Sequence, residues 1–213
     1  MNSLLVVGAG GHGKVVADAA LAAGGWGDIA FLDDRAPEVS RVLELAVLGG
    51  ISQLRRFSGR FSHAVVAVGD ARRRLALIGE VEQAGYTVPV IVHPRATVSP
   101  FAVLAGGTVV MAGAVLNPDV SVGAGGIINT GACVDHDCRL GEGVHVCPGV
   151  SLAGNVVVGD RAWVGIGSCV RQGVHIGRDV VVGAGATVIT DIADGLTVGG
   201  TPARPLTPRR TSV

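Results

Sequence analysis

Aliphatic residues recur at every sixth position through the second half of this chain. Stepping from Val92 gives Val98, Leu104, Val110, Leu116, Val122, Ile128, Val134, Leu140, Val146, Leu152, Val158, Val164, Val170, Ile176, Val182 and Val188. Four residues after most of them comes a small or β-branched residue, such as Thr108, Ala114, Ala132, Cys138, Ala162 or Ser168, and Gly or a polar residue commonly fills the places between. This is the pattern of a hexapeptide β-helix. Each hexad supplies one short strand and one turn, and three hexads close a triangular coil. The aliphatic side chain points inward and stacks on its equivalent one coil away. Glycine, Asp and Asn supply turn conformations that a branched residue resists. The run predicts a left-handed parallel β-helix of roughly five uninterrupted coils from Val92 to Ile189.

The first 90 or so residues lack the repeat and alternate differently. Strands are predicted at Leu4–Val7, Ile29–Leu32, weakly at Val47–Leu48, at Ala64–Val68 and at Val88–Ile91. Helices are predicted at Lys14–Ala23, near Ile51–Arg56 and at Ala71–Ala84. That order implies a small Rossmann-like α/β domain with a parallel sheet. The expected organisation is an α/β domain over 1–91, the β-helix over 92–192, and a Pro-containing cap and tail over 193–213. A cap would protect the open end of the helix.

Composition sharpens this picture. Hydrophobic residues are 48% of the 213 and aromatics only 3%, with 34 glycines, so the core is built from small aliphatic layers. The formal net charge of +0 gives no electrostatic reason for binding nucleic acid or an anionic membrane. Charged residues form no long runs, apart from the short Arg72-Arg73-Arg74 and a basic end at Arg209-Arg210. No apolar stretch is long enough to span a membrane. The opening Met1-Asn2-Ser3 lacks the basic region of a signal peptide and runs directly into a strand. A cytoplasmic location is therefore expected. Cys133, Cys138, Cys147 and Cys169 form no zinc-like spacing and are expected to be small buried residues in a reducing compartment.

Gly8-Ala9-Gly10-Gly11-His12-Gly13 fits G-x-G-x-x-G between a strand and a helix, with Asp33 and Asp34 ending the next strand. Glycines let the backbone approach a ligand, and the helix N-terminus favours phosphate. The motif alone does not separate a nucleotide-diphosphate sugar from NAD or a structural turn. Gly8 to Lys14 also reads as G-x-x-x-x-G-K, but Val15 stands where a P-loop needs Ser or Thr, which argues against an NTPase. Gly69-Asp70 follows an apolar strand, where open α/β sheets bind ligands and where Asp70 equally suits a helix N-cap.

A scaffold of Val and Gly has few groups able to do chemistry, so Asn129-Thr130-Gly131-Ala132-Cys133-Val134-Asp135-His136-Asp137 stands out. His136 lies two places after the inward Val134, hence on a turn. A neutral imidazole there could take a proton from a nucleophile, held by Asp137 or Asp135. Gly154, one coil along, could supply a backbone N–H to an oxyanion. The competing reading of His136 is a solvated turn histidine. His145, nine residues on, could face a different edge and meet a neighbouring molecule's His136. His63, His93 and His175 receive no role. A zinc site of three histidines, as in the γ-type carbonic anhydrases on this scaffold, needs convergence that the unlike offsets of His136, His145 and His175 do not suggest, so no metal is expected.

The whole chain resembles the bacterial sugar acetyltransferases of the PglD/NeuD type. The resemblance rests on GAGGHGK at the start, FLDD, VGD, VHPRATVSP, INTGACVDHDC and the closing GGTPARPL. It implies a homotrimer with active sites between subunits, serving glycan biosynthesis. It implies acetyl-CoA as co-substrate, and a UDP- or GDP-linked 4-amino-4,6-dideoxy sugar as acceptor of an N-acetyl group. It further implies His136 as general base, Asp137 as its acidic partner, Asn129 near that site and Gly154 as oxyanion donor. His145, Ile166, Ala184 and Gly185 resemble acetyl-CoA contacts, and Gly11, His12, Gly13, Asp33, Asp34 and Gly69 resemble the nucleotide-sugar pocket. Asp137 is shorter than the Glu often found beside the base. O-acetylation of sialic acid or another sugar hydroxyl, and a non-catalytic nucleotide-sugar-binding trimer, remain the alternatives.

Overall fold

A computed structural model describes residues 2–206; the basic tail at Arg209-Arg210 lies outside the described residues. The first half contains β1 (Asn2–Val7), α1 (Gly11–Ala23), β2 (Trp26–Leu32), β3 (Arg41–Val42), β4 (Leu45–Ala46), a 3-10 helix (Ile51–Phe57), β5 (His63–Val66) and α2 (Ala71–Gln83). The parallel sheet runs β2-β1-β5. Its glycine turn is sterically dictated. Gly8 has φ +105, and a Cβ at Gly13 would overlap the Gly8 carbonyl, so α1 can start this close to β1 only with glycine there. Asp70 caps α2 by accepting the Arg73 N–H at 2.7 Å.

Two expected strands are reduced. Val47 makes a single parallel bridge to Phe31, because the β3–β4 hairpin takes up the preceding segment. Over Val88–Ile91, Pro89 has no N–H to donate. Only Thr87 bridges β5, and Ile91–Val92 instead pairs with Val109–Val110 as the first rung of the β-helix. The helix expected near Ile51–Arg56 is of the tighter 3-10 type.

The hexads fold into three parallel faces, an eight-stranded, a six-stranded and a five-stranded sheet. Register advances by whole coils, as in Leu116 to Val134 to Leu152 to Val170 to Val188. The inward aliphatics and the small residues four places later form one continuous buried core. Asp119, Asp137 and Asn155 hold the repeated turn at φ +61, +60 and +58, the left-handed conformation that Asp and Asn tolerate. Thr197–Gly199 pairs parallel to Val181–Val182, and Arg204–Pro205 folds back antiparallel on it. Cys138 and Cys147 are buried as expected, but Cys133 and Cys169 are exposed, because both occupy outward positions on the six-stranded face. No helix among the described residues is long and apolar enough to cross a membrane.

What positions the site is the docking of the two halves. The outward residues Ile91, Val109 and Ile127 of the eight-stranded face are at most 2% exposed, in one cluster with Val16, Ala17 and Ala20 of α1. Each such aliphatic contributes about 1.5–3 kcal/mol by leaving water. On the other side of the sheet, α2 reaches the corner between the five- and eight-stranded faces. There Arg74, 1% exposed, donates from Nε to Gly125 O (2.8 Å), from Nη2 to Gly143 O (2.7 Å) and from Nη1 to Val68 O and Gly69 O (2.8 and 2.7 Å).

Candidate active site

His136 sits on the corner between the six- and five-stranded faces, two residues beyond inward Val134. Its Nδ1–H donates to Asp137 Oδ2 at 2.7 Å, so the shorter acid does reach the ring. Its backbone N–H donates to Asp135 Oδ1, which also accepts from Asn117 Nδ2, both at 2.8 Å. Asn117 was missed in the sequence reading, although it stands one coil before Asp135. A Cβ at Gly154 would come within 2.6 Å of His136 Nε2 and Cε1, so the ring lies directly over this glycine. The Gly154 N–H donates to no acceptor among the described residues. The Asp137 hydrogen bond, and then the Asp135 charge, raise the His136 pKa above its ordinary value.

That shift has a measurable sign. A base must be unprotonated, so kcat/KM should fall as pH drops through a value above the ordinary 6.5 of histidine. Asp137→Asn keeps a residue that tolerates positive φ and replaces the carboxylate behind the largest cause of the shift with a neutral, weaker acceptor. The acid limb of its kcat/KM profile should move to lower pH; an unmoved limb would mean that another group sets it.

His145 opens a two-residue strand of the eight-stranded face, in the outward column that continues from Ile91, Val109 and Ile127. Where α1 ends its cover, the glycine turn delivers His12, with ring centroids 6.5 Å apart. Asn129 Nδ2 donates to His145 Nε2 at 3.1 Å, which places Asn129 with His145 and not with His136 of the same chain. Trp163, the next residue of the column, meets His145 edge-on at 6.2 Å. Burial, with the Arg74 charge adding to it, lowers the pKa of His12 to about 4; burial first, then the charges of His12 and Arg74, does the same for His145. Both imidazoles are therefore neutral at pH 7. His12 Nε2 is buried and finds no hydrogen-bond partner among the described residues.

The other sequence candidates divide between these places. Gly11 and Gly13 flank His12 in the first turn of α1. Asp33 accepts from the Arg35 side chain and, at 2.7 Å, from the Ala9 N–H, which together hold its pKa at about 2 against burial. Asp34 accepts from the Ile51 N–H at 2.8 Å at the start of the 3-10 helix. Gly69 gives its carbonyl to Arg74 and borders a cavity of about 280 Å³, together with Asp70, Arg72, His145, Arg161 and Trp163. Asp179 closes the far wall, accepting from Arg161 (2.9 and 2.8 Å) and Arg72 (2.8 Å). Ile166, Ala184 and Gly185 lie at the corner between the eight- and six-stranded faces. Within one chain, then, His136, Asp137 and Gly154 occupy one edge of the six-stranded face. Asn129, Ile166, Ala184 and Gly185 occupy the other edge, beside His145. Among the described residues no cluster of three His, Cys, Asp or Glu could hold a metal.

Residues 3–81 match the family described as PglD N-terminal domain, and residues 155–190 match Bacterial transferase hexapeptide (six repeats). No curated protein matches the chain. Among solved structures, it is similar to the acetyltransferase domain of PglB from Neisseria gonorrhoeae in complex with acetyl coenzyme A. The two share 45% identity over 97% of this chain and 100% of that one, with a TM-score of 0.93. It is also similar to PerB from Caulobacter crescentus in complex with CoA and GDP-perosamine, at 39% identity over 97% and 98% of the two chains and a TM-score of 0.90. WeeI from Acinetobacter baumannii shares the fold at 24% identity, covering 97% and 100%, with a TM-score of 0.84.

Proposed function

Because this chain belongs to the PglD-type hexapeptide-repeat acetyltransferases, we propose that it transfers acetyl from acetyl-CoA to the 4-amino group of a UDP- or GDP-linked 4-amino-4,6-dideoxy sugar. The observation that carries this reading is the meeting of His12 and His145. It seats a nucleotide-type glycine turn directly against the face of an acyl-transfer β-helix. PerB, similar over nearly the whole length, was solved in complex with CoA and GDP-perosamine.

In this reading His136 Nε2, left with a lone pair because Nδ1–H is held by Asp137, takes a proton from the sugar amine as its nitrogen attacks the thioester carbon. The tetrahedral oxyanion receives the Gly154 N–H. Collapse breaks the C–S bond, and the imidazolium returns its proton to the departing thiolate. The products are the N-acetyl sugar and CoA. Asp137 and Asp135 stabilise the imidazolium in between. His145 and Asn129 face the acetyl end of the donor, and Ile166, Ala184 and Gly185 line its groove.

The site is assembled from more than one copy. The two halves of the machinery flank opposite edges of the six-stranded face. Threefold packing with those faces turned to the axis sets the His136 edge of one chain against the His145 side of the next. This supports a homotrimer.

The test is acetyl-CoA turnover, read as released thiol, against UDP- and GDP-linked 4-amino-4,6-dideoxy sugars, with sialic acid and the parent hydroxyl sugars alongside. Saturable turnover with one amino sugar is the expected result. Activity confined to hydroxyl acceptors would replace N-acetylation with O-acetylation.

A further inference from the structure

The cavity beside His145 has one wall that neither the hydrogen-bonding groups nor the core explains. Trp163 is an outward residue of the eight-stranded face, in a chain whose aromatics are 3% of residues, and it is 37% exposed. The three preceding outward aliphatics of its column are sealed under α1, and His145 is held by Asn129. The column opens into the cavity at His145 and Trp163, and Trp163 is its aromatic wall.

Its side of the sheet identifies what it faces. The cavity is bounded by Gly69 and Asp70, just past the carboxyl end of β5, where open α/β sheets hold their ligands. It is bounded also by Gly143 and Arg161, at the corner where the chain enters the eight-stranded face. Ile166, Ala184 and Gly185, assigned above to the donor groove, stand at the corner where the chain leaves that face. The cavity therefore opens on the acceptor side. Apart from the neutral His145 ring, the groups around it are charged or are glycine backbone, save the Trp163 indole and the apolar Ala71, Ala162 and Val181.

We propose that Trp163 is a specificity-determining residue whose indole face carries the apolar C5–C6 edge of the acceptor sugar, so that the enzyme prefers 6-deoxy sugars to their 6-hydroxy counterparts. This rests on the acceptor reading given above. Pyranose C–H edges pack well on aromatic faces. A C6 hydroxyl at the same place would give up water without gaining a partner. An apolar wall of this kind discriminates against an added hydroxyl by up to about 100-fold.

The experiment compares wild type, Trp163→Phe, Trp163→Leu and Trp163→Ala on a nucleotide-linked 4-amino-4,6-dideoxy sugar and on the matched 4-amino sugar that keeps its C6 hydroxyl. For Trp163→Ala, KM for the deoxy sugar should rise about 10-fold and the preference for the deoxy acceptor should fall toward unity. KM for acetyl-CoA should stay unchanged. Trp163→Phe should retain most of the preference, and Trp163→Leu, which keeps bulk without the aromatic face, should retain less. Trp26, the other tryptophan, packs on His63 at the opposite end of the sheet, so Trp26→Phe leaves Trp163 as the single tryptophan, excited selectively over Tyr86. Its emission should change saturably with the nucleotide sugar alone. A rise in KM for acetyl-CoA in place of that for the sugar, or an unaltered deoxy preference, overturns the role while leaving the acetyltransferase reading intact. Inactivity of the wild type on every amino sugar overturns the acceptor reading, and this role with it.

Discussion

Replacing His136 with alanine lowers kcat/KM by about 10²–10⁴-fold, the usual contribution of a positioned general base. The fold should not register the change. The side chain is 54% exposed on a turn and touches Asp137 and the Gly154 backbone, with no part in the aliphatic core. Surface changes of this kind stay within about 0.5 kcal/mol of wild type. The loss should fall on kcat with acetyl-CoA binding retained, because the proton transfer it supports occurs only as the amine attacks. Steady-state kinetics with thermal unfolding on the same sample checks this. Turnover within a few-fold of wild type would remove His136 from the chemistry. Full loss of stability alongside activity would make it a structural histidine.

Replacing Arg74 with methionine destabilises the protein by about 3–5 kcal/mol, although Arg74 lies in a run of three arginines. The guanidinium is buried, its pKa lowered by burial but only to about 10, so it stays charged at pH 7. It satisfies four backbone carbonyls at 2.7–2.8 Å, two on the β-helix corner and two at the end of the β5 segment. Methionine fills much of the volume but leaves those acceptors without donors, each at a cost of about 1–3 kcal/mol before water or relaxation recovers part of it. Arg73→Met is the control. Its partner is an exposed glutamate at 3.4 Å, and such surface pairs contribute about 0–1 kcal/mol. Urea unfolding of the two variants should separate them clearly. Because Arg74 ties the first domain to the coil that carries His145, the surviving Arg74→Met protein should also show a higher KM for the nucleotide sugar. Equal stabilities for the two variants would mean that water replaces the guanidinium at no cost.

The sequence could have marked Arg74. It shares the spacing of the buried Leu77, Ile78 and Val81 on α2, so it falls on the inward stripe of that helix, while Arg72 and Arg73 do not. Asn117 was equally legible, since it stands one coil from Asp135 in the same corner column. Other features were not. The outward positions of Cys133 and Cys169 follow from the strand register, but whether an outward position is covered depends on what packs there. On the eight-stranded face Ile127 is sealed by α1, while on the six-stranded face Cys133 is exposed.

The sequence by itself determined the β-helix, its inward layers and the placing of His136 on a turn, because a period of six is local information and each coil repeats the contacts of the last. It also determined the glycine turn, since only glycine fits where α1 presses on the Gly8 carbonyl. The tertiary structure alone decided which face the first domain covers and where that cover stops. His12 and His145 meet across 132 intervening residues with no periodicity to link them. Their contact depends on the shape and burial of two separately folded surfaces, fixed by α1 on three aliphatic rungs and by one buried guanidinium.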